Sequence, residues 1–278
     1  MTHLATHPFD HAMQLEAAGD AQAGTWLGAT SPVYGNMVGP FGGTTAATAL
    51  QAVLLHPDLL GQPVALTVNY AAALAAGPFR ISATPVRTNR STQHWTVTLT
   101  QADSSGADSV AMTATAVTAV RRETWGGDEL SMPEVKMDKA LPRLMFSTSE
   151  WTRRYDMRAV RGMIPHEWDG RASDSLTQLW VRDEPPRPLD FPSLAAMCDV
   201  FYPRVWLRRA TRVPAGTVSI TTYFHANSAQ LAEVRDGYLF AQARAQTFRN
   251  GFFDQTAQLW NEAGALLATS HQVVYYKE

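Results

Sequence analysis

The sequence predicts an α+β fold of two tandem halves, each a long helix packed on a curved antiparallel sheet, joined within one chain as a pseudo-dimer. Three observations predict it. An apolar helical segment occurs twice, and a proline follows each, Pro57 and Pro203. Runs of alternating apolar and Thr-rich residues, cut by turn signals, follow each helix. The halves superpose as an internal repeat in which Pro57 pairs with Pro203, Tyr70 with Tyr223 and Arg90 with Arg249.

The first helix is predicted over residues 42–56, opened by Gly42 and Gly43, with Ala46, Ala49, Leu50, Val53 and Leu54 at three- and four-residue spacing. Four strands are predicted next, over residues 63–74, 79–88, 92–101 and 109–120, as an antiparallel meander. Gly77-Pro78, Asn89-Arg90-Ser91 and the stretch from Asp103 to Gly106 supply the turns. Residues 123–143 turn to charge, Gly and Pro with no clear period, and are expected to cross the surface as a linker. The expected division is 1–122 for the first half, 123–143 for the linker and 144–278 for the second half. In that half, strand-like stretches near 150–160 and 175–182 precede a helix over 191–202, stopped by Pro203. Strands are then predicted over 217–226, 238–248, 252–260 and 265–276. Asn250-Gly251 is the strongest hairpin signal in the chain, and Asn261 to Gly264 marks another turn.

Composition narrows the functional classes. With 278 residues, 45% of them apolar and 17% charged, the chain buries a large core and is not a disordered segment. A formal net charge of −2 gives no electrostatic case for nucleic acid, while a local Arg cluster could still hold a small anion. One cysteine, Cys198, forms neither an internal disulfide nor a Cys-based zinc site, which fits a reducing compartment; the cytoplasm is expected. No run of eighteen apolar residues appears and the N-terminal stretch is polar, so neither membrane insertion nor export is expected. His3, His7 and His11 have ligand spacing, but Pro8 interrupts that segment, and a frayed or loosely docked terminus is expected in place of a metal site. Cys198 sits in an apolar helix and reads as a core residue. Sequence signs of a nucleotide cradle, a zincin site and a nucleophile elbow are all absent.

The repeat exposes an asymmetry. At the local offsets Asp199 corresponds to Val53, Thr217 to Val64 and Gln272 to Ala116, so three polar residues in the second half face three apolar partners in the first. Only one of two equivalent grooves is then chemically equipped. An Asp on an apolar helix face is costly to bury without partners, which Thr and Gln could supply. Taken alone, it could equally point to solvent or close a local hydrogen bond.

The segments GPFGGTTAATALQA, PLDFPSLAAMCDVFYPR, GTVSITTYFHAN and GALLATSHQV resemble those of the type II acyl-CoA thioesterases of the double-hotdog fold, and the likeness runs from about Phe9 to Tyr276. Thr221-Thr222 departs from the polar pair usual there. The resemblance implies hydrolysis of acyl-CoA to fatty acid and CoA, with no cofactor and no metal. Carried onto matching positions, it implies that Asp199, Thr217 and Gln272 hold and activate the attacking water, with Asp199 as base. Oxyanion donors are expected at a helix start, near Gly42 and Gly43 or at the second helix's first turn. Ala46, Ala49 and Leu50 are expected to line the acyl tunnel, and Arg90, Arg204, Arg208 and Arg249 to be candidates for CoA phosphates. A closed homo-oligomer is expected. Two rivals remain: a hydratase on the same scaffold, which needs a helix-borne His where only His56 stands at a helix end, and an acyl-CoA binding protein without turnover.

Overall fold

The computed structural model describes residues 6–19, 23–103, 105–164 and 174–278. Helix α1 (Pro8–Ala12) and strands β1 (Glu16–Ala17) and β2 (Thr25–Ala29) lead to helix α2 (Gly42–Leu54). Strands β3 (Gln62–Tyr70), β4 (Pro78–Thr88), β5 (Thr92–Ala102) and β6 (Asp108–Ala119) complete the first half. The second half carries β7 (Tyr155–Arg161), β8 (Thr177–Asp183), α3 (Phe191–Met197), α4 (Arg204–Arg209) and β9 (Ala215–Phe224). It ends with α5 (Ser228–Val234), β10 (Leu239–Arg244), β11 (Phe248–Arg249), β12 (Phe252–Asn261) and β13 (Leu266–Tyr276).

All strands join one antiparallel sheet in the order β1-β2-β4-β5-β6-β3-β9-β13-β12-β10-β8-β7, with β11 paired to β12. The order reads the same from either end about the β3–β9 seam, so two tandem hotdog halves share one continuous sheet and form an intrachain pseudo-dimer. At the seam Thr67 faces Thr221, their hydroxyls 3.0 Å apart. Strand β3 lies between β6 and β9, away from β4, so only β4, β5 and β6 form the expected meander. Helices α2 and α3 pack on each other inside the curved sheet, where Ala47, Ala49, Leu194 and Ala195 are solvent-free. Small residues there let the helices approach closely and bury the apolar stripe that drives folding.

Registers followed outward from the seam refine the repeat by one residue. Thr67 matches Thr221, so Tyr70 matches Phe224, not Tyr223. Strands β3 and β9 bulge at matching places, Val64 and Val218, so the offset at the seam carries through and Thr217 matches Pro63 and not Val64. Thr115 and His271 are paired to Thr67 and Thr221, which matches Gln272 to Ala116, as expected. Thr96 matches Thr256, so Trp95 matches Gln255, and Arg90 matches Asn250 instead of Arg249. A one-residue slip turns a side chain to the other face of a strand, which is why identical residue types misled the pairing.

Other expectations are corrected locally. The second helix stops at Met197: the N–H groups of Asp199 and Val200 bond three residues back and tighten the chain into a turn. Pro203 then caps α4 instead of ending α3. Residues Glu150–Arg154 form a 3-10 turn before β7, and α5 occupies a stretch between the strands predicted over 217–226 and 238–248, for which no element is predicted. Its sign was present, because Asn227 and Gln230 close a capping box. Of the frayed or loosely docked terminus expected, the described residues from 6 onward are docked: Phe9 is buried against Tyr34 and Asp10 pairs with Arg187 at 2.7 Å. His7 caps α1 through Nδ1, and His3 lies outside the described residues. No helix among the described residues is long and apolar enough to cross a membrane.

Candidate active site

A cavity of about 790 Å³ opens where the start of α2, the turn after α3 and the start of β9 meet. Apolar side chains dominate its wall, among them Phe41, Trp151, Phe201, Trp206, Phe253 and Val274. Phe41 stacks on Trp151 with ring centroids 4.1 Å apart, so the chain leaving the inter-half segment closes one side.

Asp199, Thr217 and Gln272 meet on this wall. Gln272 Nε2 donates to Asp199 Oδ1 at 2.8 Å, and Thr217 Oγ1 donates to Gln272 Oε1 at 3.2 Å. The Gly43 N–H, at the positive end of α2, favours the charged form of the Asp199 carboxylate. Asp199 is 9% exposed and Gln272 2%. Burial pushes the Asp199 carboxyl up to about 7, against the pull of its bonds from Gln272 and Gly43. The turn after α3 carries Asp199, and its carboxylate lies beside Gly42 at the start of α2.

The glycine pair has a steric reason. A Cβ on Gly42 would sit 2.8 Å from Asp199 Oδ2, and one on Gly43 would sit 2.6 Å from the Ala196 carbonyl oxygen. Tyr70 completes this side, donating to the Gly42 carbonyl at 2.8 Å; burial, then the Asp199 charge, raise its phenol well above the usual range. Tyr70, Gln255, Trp151 and Arg212 all line the cavity and were missed as site residues. Gln255 had a sign: a polar side chain at an inward position of a strand, directly opposite Gln272.

Several candidates lie elsewhere. Ala46, Ala49 and Leu50 are buried in the helix–helix core and do not line the cavity. The first turn of α3 is capped by Asp190 and packs toward Asp183, away from the cavity. Arg90 sits exposed in the turn between β4 and β5. Arg208 and Arg249 line a separate cleft. Arg204 is fully buried, bonding the carbonyls of Tyr202 and Ser175 and the Thr177 hydroxyl, so it serves the fold and is no phosphate ligand. Cys198 is buried with its thiol pushed up to about 12 by desolvation, which suits a core residue. Among the described residues no group of His, Cys, Asp and Glu is arranged to hold a metal.

Family models match both halves: the acyl-CoA thioesterase C-terminal domain over residues 128–276 and the N-terminal domain over residues 31–119. The chain belongs to the acyl-CoA thioesterase family. Among solved structures, this thioesterase-family chain is similar to a conserved hot-dog-fold protein of unknown function from Alicyclobacillus acidocaldarius, with 45% identity, a TM-score of 0.90 and coverage of 98% of this chain and 99% of that one. The tesB protein of Mycobacterium avium subs paratuberculosis shares the fold at 16% identity and a TM-score of 0.75, covering 97% and 98%. So does acyl-CoA thioesterase II TesB2 from Mycobacterium marinum, at 17% identity and a TM-score of 0.74, covering 97% and 98%. No curated protein matches the sequence.

Proposed function

We propose that this member of the acyl-CoA thioesterase family hydrolyses acyl-CoA to a carboxylic acid and free CoA, using residues of its second half. The observation that carries the reading is the bonded series Thr217–Gln272–Asp199 on the wall of an apolar cavity. Thr217 fixes the amide orientation of Gln272, and Gln272 fixes the carboxylate. With its pKa near 7, Asp199 takes a proton from water at neutral pH more readily than an ordinary carboxylate would. Water oxygen bonds to the thioester carbonyl carbon as that proton moves to Asp199; the C–S bond then breaks and the proton passes to the departing thiolate. Gln272 Nε2 gives one hydrogen to Asp199, and we assign its second to the developing oxyanion.

The second half, residues 144–278, thus carries the chemistry, and residues 1–122 contribute the start of α2 and Tyr70 to the wall. The hydratase reading is disfavoured because His56 is buried between Trp26 and Trp95, outside the cavity wall. We place the reaction in the cytoplasm, which suits the single reduced thiol. The test is thiol release from acyl-CoA substrates of several chain lengths. Turnover that Asp199→Asn lowers by about 10³-fold supports the reading; binding without thiol release favours a non-catalytic protein.

A further inference from the structure

A second concavity, of about 850 Å³, lies behind the first. Five exposed arginines line it, Arg161, Arg208, Arg209, Arg244 and Arg249, against one lining carboxylate among the described residues, Asp174. Arg161 pairs with Asp174 at 2.6 Å and Arg209 pairs with Glu278. This is a marked concentration in a chain of net charge −2 with 23 Lys and Arg in all. Guanidinium groups gathered in one concavity repel each other unless an anion joins them.

The cleft is built, not frayed. Asp254 accepts the Gln246 and Thr247 N–H groups, both at 2.9 Å, and so fixes the corner between Arg244 and Arg249. Asn250 and Gly251, both at positive φ, close the hairpin that presents Arg249. Phe248 and Tyr276 add aromatic surface. The cleft also adjoins the thioester cavity. Helix α4, six residues and about 9 Å long, lies between them. Buried Arg204 bonds Tyr202 on the cavity side and Ser175 on the cleft side. At the end of the sheet, Tyr276 of the cleft is paired with Ala215 of the cavity.

We propose that this cleft binds the phosphate-bearing nucleotide end of the CoA thioester, a reading that rests on the hydrolysis proposed above. Arginines match phosphate oxygens in bidentate fashion, and an aromatic floor beside guanidinium planes suits a purine. A concave shape favours a small nucleotide over the convex acidic helix of a carrier protein.

The experiment pairs two readouts on wild type and the Arg244→Gln/Arg249→Gln double variant. Both side chains are exposed, and circular dichroism checks that the fold is kept. Calorimetric titration with adenosine 3′,5′-bisphosphate should show binding that the variant weakens about tenfold or more, and more in low than in high salt. In turnover, the ratio of kcat/KM for an acyl-CoA to that for the matching acyl-N-acetylcysteamine thioester should fall about tenfold. Bisphosphate binding that is absent or unchanged in the variant overturns the proposal. So does an unchanged ratio, or a loss confined to acyl carrier protein substrates. If neither thioester is hydrolysed while Arg-dependent bisphosphate binding persists, the cleft stands and the hydrolysis reading falls.

Discussion

The two halves of the sheet present the same groove twice and fill it differently. In the first, Trp95 occupies the inward position, 1% exposed, donating to Thr118 at 3.1 Å and lying edge-on to His56 at 5.0 Å. In the second, Gln255 takes the matching place beside Gln272, with the cavity in front of them. Ala116 and Pro63 stand in the first half where Gln272 and Thr217 stand in the second. A large aromatic supplies packing and excludes water; two amides in its place leave room and polar direction. Duplication of a fold therefore leaves one copy to carry stability and the other to bear a buried, imperfectly compensated carboxylate.

That contrast can be broken from either side. The largest effect is expected from removing the plug: Trp95→Ala should cost about 3–5 kcal/mol of stability, read by denaturant unfolding, while folded protein keeps the second groove intact. Adding a plug to the other groove should act on activity instead. Gln255→Trp is expected to lower kcat/KM toward long acyl-CoA by about 10²-fold with the fold retained; full activity would show that the cavity is not the acyl site. Within the bonded series, Gln272→Ala should lower kcat by about 10²-fold and Thr217→Val by about tenfold, since Thr217 acts through Gln272. Equal losses would place Thr217 on the reacting water. A further effect is on stability and its dependence on pH. The Asp199 carboxyl lies near 7 in the fold against an ordinary 3.8, so the fold favours its protonated form. That contribution is complete below the unfolded value and is lost as pH rises through the folded one. Asp199→Asn should therefore gain in Tm over wild type as pH is raised from 5 to 8, and a constant difference would argue that the carboxyl is solvated.

Much of this fold was legible because local signals agreed with it. The spacing in α2, the alternation in β4, β5 and β6, and the Asn250-Gly251 turn are short-range features, and each element formed where those features lie. The polar triplet was legible as an asymmetry, since a buried Asp needs partners wherever the chain puts it. What was not legible depends on long-range register. The likeness of Tyr70 to Tyr223 set the offset one residue short of the Thr67–Thr221 seam, so Thr217 was matched to Val64 instead of Pro63. Arg204 was a candidate for CoA phosphates, and only the folded chain shows Ser175, Thr177 and Tyr202 closing around it. The tunnel-lining role expected of Ala46, Ala49 and Leu50 failed because the partner helix α3 covers that face.

The central claim, that Asp199 in the second groove is the base, is tested most directly by the pH dependence of kcat/KM for acyl-CoA hydrolysis in wild type and in Asp199→Asn. The wild-type rate is expected to rise with pH to a plateau through an apparent pKa near 7. The variant should be about 10³-fold slower at the plateau and lack that rise. A variant that keeps the same profile within a few-fold of the wild-type rate would contradict it.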